Sequence, residues 1–532
     1  MLCSYRNSLI SFSLTRFFQL TAALVTFCIL AADSTLLLAQ HDGARDSVQQ
    51  IALGKFEKVD QILEKKKPFA GEAESAFVKL LQSAAQDDVA KATEYGKQAV
   101  ELGIPPERLV VGPRTLLGRL PENSELNRWV SEQVSTKLVH GPMVGSVTDH
   151  SASIWLRTLG DAKVDVTCIE TGQKLSSMTS KKSDWTTVLT FDNLPSAAEC
   201  HYVVHIDGKQ CATSSFRTYP IHGTGGQFSV GFGGGAGFVP EWERMWDTIL
   251  DYKPHAFLMM GDNVYIDQPQ QSLTQRYCYY RRQSRPEWQR FTSQTSMYSI
   301  WDDHDFGTND CIPGPEIEVP TWKRSVWEIY KQNWVNPSYG GGSEQPGCWY
   351  DFHIGDVHFL MLDGRYYRDL KGGSMLGPVQ KTWLLKTLKE SSATFKVIAS
   401  PVPFTVGIKK GSRDPWDGFP EERAEIFDWI QTQRIEGVFL VAADRHRTDL
   451  RVNPRPDAYD LYEFESSRLT NHHTHSVVQT DGLIWGYNET CSFALMTFDT
   501  DQTDPIVKFQ CIDIDGKVHH TFVLKHSQLK FK

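Results

Sequence analysis

The chain has 532 residues, too many for one ordinary hydrophobic core, so its length predicts two or three domains. A composition of 40% hydrophobic and 22% charged residues is that of a soluble globular protein. The net charge of −9 argues against a general nucleic-acid surface, and an anionic ligand would need locally placed cations or metals.

Arg6 and Arg16 precede an apolar run over residues 17–32, FFQLTAALVTFCILAA, which is short for a membrane span. The pattern predicts a signal peptide over residues 1–39, cleaved near Ala32 or Ala39, and an exported protein in the periplasm, outside the cell or on its surface. An uncleaved amino-terminal anchor is the competing reading. Eight of the ten cysteines lie beyond this segment. Export would permit disulfides, but no C-x-x-C pair points to a zinc ribbon.

Over residues 44–130 apolar residues recur at three- and four-residue spacing, as in AESAFVKLLQSAAQDDVAKATEYGKQAVELG, which predicts a helical region. It reads equally as a protein-contact module or as a helical cap. Residues 139–220 switch to period two: SASIWLRT, KVDVTCIE, TTVLTFDNL, CHYVVHIDG and SSFRTYP predict a β-sandwich. From 227 to 532, apolar strands alternate with helices such as PVQKTWLLKTLKES, which predicts an α/β domain.

Five of its strands, HAFLMM, MYSIW, VHFLML, FKVIAS and GVFLVAA, each run into a polar cluster. The clusters carry Asp262 and Tyr265, then Asp302, Asp303, His304 and Asp305, then Asp363 and Arg365, then Ser400, then Asp444 and His446. Ligands of open α/β sheets bind beyond the carboxyl ends of strands, so five such endings predict one site if the strands are parallel neighbours. Aspartate, tyrosinate and imidazole bind hard or borderline cations. Two close cations would hold several carboxylates, activate water and clamp phosphoryl oxygens. A histidine beside them would protonate a leaving alkoxide, and an arginine would fork onto phosphate.

These segments resemble the PhoD-like alkaline phosphatases of the metallophosphatase superfamily. GDNVYID is similar to the family's GD-x-x-Y motif, WDDHDFGTND to WDDHEF-x-x-ND, LDGRYYRD to LD-x-R-x-YR, and ADRHRTDL to GD-x-H with Ala443 for glycine. GPVQKTWLLKTLKESSATFKVIASPVPF resembles its G-x-x-Q-x-x-WL helix and SPVPF strand, and the likeness runs from about residue 139 to the carboxyl terminus. The resemblance implies a calcineurin-like αββα domain over residues 227–532, preceded by a fibronectin III- or immunoglobulin-like sandwich over 139–220. It implies hydrolysis of phosphate monoesters or diesters at a site of iron and calcium ions. It also implies Asp262 as a bridging carboxylate, Tyr265 as a phenolate ligand and Asp303 in the place of an asparagine ligand. His304 would lie over the leaving group, with Asp444 and His446 completing the coordination.

One stretch departs from the family. Its first strand usually ends in a cysteine, in a segment like FASCQ, where this chain has VGFGGGAGF. Gly233, Gly234 and Gly235 offer no side-chain ligand, although their N–H groups would suit a close approach to phosphate.

Other features carry plainer expectations. Asp302 and Asp305 would cap and orient their loop or pair with arginine, and Asp363 with Arg365 would form an ion pair, with Arg365 otherwise meeting phosphate. NHHTH, with His472, His473 and His475, reads as a surface or rim loop, and Arg281, Arg282 and Arg285 as an entrance lining or a solvated helix face. Asn488-Glu489-Thr490 matches a glycosylation acceptor. The sequence therefore predicts an exported metallophosphatase acting on a phosphate ester, with His304 and Arg365 catalytic. It predicts no nucleic-acid surface, no membrane span after signal removal, and a possible protein contact through the helical region. A binding protein on a degenerate phosphatase scaffold and a phospholipase or phosphodiesterase acting on lipid head groups are the alternatives.

Overall fold

The computed structural model describes residues 42–532, so the signal expected over residues 1–39 lies outside the described residues. The first described elements are helices α1 (Gly43–Ala52), α2 (Phe56–Ala85), α3 (Val89–Glu101) and, after two single turns, α4 (Glu125–Gln133). Phe77, Leu80, Leu81 and Ala84 of α2 and Ala92 and Ala99 of α3 form the buried stripe of an amphipathic pair. Asp88 caps α3 by accepting from Lys91 N at 3.1 Å, and Ser124 caps α4 by accepting from Asn127 N at 3.2 Å. These helices are not a separate lobe. Glu74 of α2 is buried under Arg108 and the Tyr277 hydroxyl, 2.7 Å away, and Tyr277 belongs to α5 (Ser272–Gln283) of the carboxyl-terminal region.

Seven strands follow: β1 (Leu138–Gly145), β2 (Ala152–Thr158), β3 (Ala162–Cys168), β4 (Lys174–Thr179), β5 (Thr186–Phe191), β6 (Glu199–Ile206) and β7 (Lys209–Arg217). They divide into a set ordered β1-β2-β5 and a separate sheet ordered β4-β3-β6-β7.

The remaining strands build two larger sheets. They are β8 (Gln227–Gly233), β9 (Ala256–Met260), β10 (Ser296–Ile300), β11 (Tyr350–Ile354), β12 (Val357–Met361), β13 (Phe395–Ala399), β14 (Val438–Ala442), β15 (Thr448–Asn453), β16 (Leu461–Ser466), β17 (Leu483–Tyr487), β18 (Ser492–Asp499), β19 (Ile506–Asp513) and β20 (Val518–Lys525). One sheet has the order β20-β19-β18-β8-β9-β10-β1-β2-β5, the other β11-β12-β13-β14-β16-β15-β17. Phe498 of β18 meets Phe359, Phe395 and Phe439 of the other sheet at ring distances of 5.9, 6.0 and 6.4 Å, and Phe464 of β16 meets Phe509 of β19 at 4.7 Å. The two sheets therefore stack face to face, and each fully buried aromatic contributes roughly 1.5–3 kcal/mol.

The five strands expected to share one edge are thus divided. β8, β9 and β10 are parallel neighbours in one sheet, and β12, β13, β14 and β16 are parallel neighbours in the other. Stacking brings both sets of carboxyl ends to one side of the molecule. Two helices cross over between strands of the second sheet, α7 (Gly377–Glu390) and α8 (Pro420–Thr432), while the one-turn helix α6 (Asp303–Phe306) opens the loop after β10. The described residues 43–532 form one compact unit. All eight described cysteines are free thiols, and no helix among the described residues is long and apolar enough to cross a membrane.

Candidate metal centre

The loops at this edge adopt unusual backbone. Asp262, Tyr265, Asp267, Asp310, Asp444 and His446 all have positive φ, between 47° and 75°, which costs a non-glycine residue of order 1 kcal/mol or more. Such a concentration of strain marks a site whose side chains are aimed rather than packed. Gly261, at φ 102°, lets the β9 loop touch the β10 loop, because a Cβ there would lie 2.5 Å from Asp302 Cβ.

Asp262 is buried. Its Oδ2 accepts from the Tyr265 hydroxyl at 2.8 Å, and its Oδ1 has no hydrogen-bond partner among the described residues. The Tyr265 oxygen also lies 2.7 Å from His446 Nε2 and accepts from Asn471 Nδ2 at 2.6 Å. His446 Nδ1 is buried and has no partner among the described residues. Asp303 accepts from Asp310 N at 2.6 Å through Oδ2, while its Oδ1 also lacks a hydrogen-bond partner there. Asp305 has a different task. It accepts from the N–H groups of Asn263, Val264 and Asp302 at 2.8, 3.0 and 3.1 Å and ties the two loops together. Asp444, half-buried, lies 3.4 Å from Arg445 Nη1.

His304 is buried and bonds through Nδ1 to Asp267, a residue that motif reading passes over. Asp267 in turn pairs with Arg45 of α1, whose Nη1 also donates to the Tyr265 carbonyl at 3.1 Å. Arg365 is wholly buried. Its Nε donates to Asp302 and its Nη1 to Asp414 at 2.7 Å, while Nη2 lies 3.6 Å from Asp303 Oδ1. Asp414 also receives Arg368 and Lys409, and Lys409 reaches Asp310 at 2.8 Å. Asp363 accepts from Trp301 Nε1 at 2.9 Å and from the N–H groups of Arg365, Tyr366 and Cys348. Asp363 and Arg365 therefore do not pair through their side chains: the carboxylate holds the turn, and the guanidinium holds Asp302 and Asp414.

Burial pushes the Asp262 carboxyl up to about 8, with the Asp303 and Asp444 charges adding and the His304 charge opposing. Burial and the Asp262 charge push Asp305 up to about 7. Against the cost of burial, Arg365 and His304 hold Asp303 well below the usual carboxylate range. Burial would lower His304, but Asp267, Asp303 and Asp262 outweigh it and raise its pKa well above the ordinary value. Ligand atoms of Asp262, Asp303 and His304 lie within 4.8 Å of one another. Two crowded carboxylates with orphaned oxygens fit a cation, and the donor set of carboxylate, phenol and imidazole suits a hard or borderline one.

The glycine-rich stretch is wedged between the two sheets. Gly234 N donates to Ser466 O at 3.0 Å, Gly235 N to Gly261 O at 3.2 Å and Ala236 N to Asp262 O at 2.8 Å. These N–H groups are committed to carbonyl oxygens, which corrects the expectation that they would meet phosphate. Arg281 and Arg282 are likewise interior: Arg282 donates to Ala236 O at 2.8 Å and lies 3.1 Å from Glu243. NHHTH is not a surface loop. His473 is buried, and it and His475 stand against His446, while His472 turns to Trp242 at a ring distance of 4.2 Å. Asn488 uses its side-chain amide to hold His475 O at 3.1 Å.

Residues 230–481 match the family model described as PhoD-like phosphatase, and residues 135–223 match that of a domain of unknown function. The chain is 24% identical over 234 residues to alkaline phosphatase D of Bacillus subtilis (strain 168), a match covering 38% of this chain and 40% of that relative's length. The solved structure of PhoD superposes with a TM-score of 0.63 at 16% identity, over 75% of this chain and 92% of that one. The purple acid phosphatase PPD1 from yellow lupin (Lupinus luteus) seeds superposes with a TM-score of 0.56 at 11% identity, over 73% and 74%. Both solved structures share this mixed α/β fold.

Proposed function

We propose that the chain, whose residues 230–481 match the PhoD-like phosphatase family, is an exported, metal-dependent phosphoric ester hydrolase. The observation that carries the reading is the pair of buried carboxylate oxygens without a hydrogen bond among the described residues, Asp262 Oδ1 and Asp303 Oδ1, beside His304 at the ends of two adjacent parallel strands. Asp262, Tyr265, Asp303, Asp444 and His446 are the residues that would hold metal ions, with iron and calcium the pair the family resemblance implies. When bound, such ions supply Lewis acidity that activates water and offsets charge growing on the phosphoryl oxygens.

The chain's own groups do the remaining work. His304 keeps a proton because Asp267 fixes its Nδ1, and it offers Nε2 to the departing oxygen as general acid. Arg365 acts by holding Asp302 and Asp414, and so the loop that carries Asp303 and His304, in place. The substrate is a phosphate monoester or diester. Export is supported by the charged-then-apolar pattern of residues 1–39. The strand sets β1-β2-β5 and β4-β3-β6-β7 support an immunoglobulin- or fibronectin III-like module with a positioning role.

The test is hydrolysis of aryl phosphate mono- and diesters by the purified protein before and after chelation. Activity is expected to vanish on exhaustive chelation and return with added metal. Asp262→Ala is expected to lose metal and about 10³-fold or more in kcat. Undiminished turnover after chelation would sink the reading, and no turnover from metal-loaded protein would favour a binding protein on the same scaffold.

A further inference from the structure

Because β16 runs parallel to β14, with Ala442 beside Glu465, the loop that follows β16 opens on the same edge as Asp444 and His446. That loop crosses the place where a side chain from the end of β8 would stand. A Cβ on Gly233 would lie 2.7 Å from Leu469 Cδ2, and one on Gly234 2.8 Å from Ala443 Cβ. On Gly235, at φ 64°, it would lie 2.0 Å from Ser467 O and 3.2 Å from His446 Cδ2. Leu469 N donates to Gly234 O at 3.1 Å and so fixes the crossing. The segment 467–471 therefore fills the space beside His446 from the other sheet, and the next residues are the histidines.

Their placement is built. Thr474 Oγ1 donates to His446 O at 3.0 Å, His473 N to Asn471 Oδ1 at 2.9 Å and Asn488 Nδ2 to His475 O at 3.1 Å. His473 and His475 lie 5.3 and 5.7 Å from His446, ring to ring. A ring nitrogen of each of the three lies within 4.8 Å of the others, and the two Nε2 atoms of His473 and His475 are 3.2 Å apart. Two imidazole nitrogens bound tetrahedrally to one zinc ion at about 2.0–2.1 Å would be about 3.3 Å apart. A hydrogen bond between two neutral rings would also account for that distance. It would leave the buried His446 Nδ1 without a partner among the described residues, as it stands now.

We propose that His446, His473 and His475 form a three-imidazole position for a borderline divalent cation, of the zinc or iron(II) type, supplied by the β16 loop in place of any ligand from β8. The inference rests on reading this edge as a metal centre. Imidazole selects such ions, whereas calcium takes six to eight oxygens, so calcium is excluded from this position.

Metal content of the chelated and reloaded protein tests this. With zinc, the wild type is expected to hold one ion per chain more than the His473→Gln/His475→Gln double variant. With calcium the two are expected to hold the same number. Equal zinc content in the two proteins overturns the proposal, as does a wild type that takes up no zinc. Should the double variant fail to fold, copper(II)-loaded wild type is read by pulsed EPR: three coupled imidazoles are expected, and fewer than three overturn it. Turnover of the wild type is measured on the same samples. The zinc difference without turnover would sink the phosphatase reading alone, while turnover without the zinc difference would sink this proposal alone.

Discussion

Asp414 is a single carboxylate facing three cations. Arg365 and Arg368 both donate to its Oδ1, Lys409 lies 3.0 Å from its Oδ2, and these charges hold its pKa well below the ordinary value against the cost of burial. Removing the charge would leave two wholly buried guanidiniums without it. Asp414→Asn is therefore expected to cost about 3–5 kcal/mol of stability, read as a lower urea midpoint, and a change under 1 kcal/mol would refute the account. Asp267 acts through another residue. It holds His304 Nδ1 and keeps the ring protonated, so Asp267→Asn should weaken proton delivery to the leaving group. The expected loss in kcat is about 10²-fold for an alkyl phosphate ester and much smaller for a nitrophenyl ester, whose leaving group needs no proton. Equal losses on both esters would show that Asp267 does not serve leaving-group protonation. Asp262, Tyr265, Asp303 and His304 could be read from the sequence because each follows an apolar strand in a recognisable motif. Asp267 and Asp414 carry no such mark, since what identifies them is the histidine or arginine they reach across the fold.

At the scale of elements, α1 is tied to the centre through Arg45. Arg45 bonds Asp267, 222 positions away in sequence, and the Tyr265 carbonyl. The helical periodicity of this region was visible in the sequence, but periodicity reports which face is buried and not what lies beneath it. Arg45→Ala is expected to lower kcat several-fold at unchanged metal content and to cost about 1.5–3 kcal/mol, the range for a hydrogen bond to a charged group. Unchanged kcat would mean that the helices cover the centre without positioning it. The glycine stretch teaches a similar lesson. A missing side chain at the end of β8 was legible, but the backbone of the β16 loop that fills its place was not, because β8 and β16 lie in different sheets. The division of five similar apolar strands between two sheets was hidden for the same reason: buried strands carry no sign of which neighbour they pair with.

At the scale of the whole molecule, neutral histidines stand where strands β1 and β7 meet the strands and helices that follow them. His140 of β1 has Nε2 2.9 Å from Ser284 Oγ and Nδ1 2.8 Å from Arg157 Nη1, and burial and Arg157 keep its pKa well below the ordinary value. His255, just before β9, accepts at Nδ1 from Ser229 N at 3.3 Å, and burial together with Arg217 of β7 pushes it down to about 4. Each Nδ1 accepts a hydrogen bond in the folded protein and would lose it on protonation. Both groups are depressed in the folded state, so their contribution to stability is complete above the unfolded-state value of about 6.5 and is lost as pH falls below it. For His255 the loss runs from about pH 6.5 down to about 4, where the folded protein also takes the proton. Within that window one such histidine changes the unfolding free energy by about 1.4 kcal/mol per pH unit. Most ordinary carboxylates titrate at or below its lower end. In chelated protein, so that metal loss plays no part, the pH slopes of the unfolding free energy of wild type and His255→Gln are expected to differ between pH 6.5 and 4 by about that amount, the wild type losing more stability to acid than the variant. Parallel slopes for the two proteins would mean that this junction does not sense acid, and the contact of β7 with the segment before β9 would then rest on packing alone.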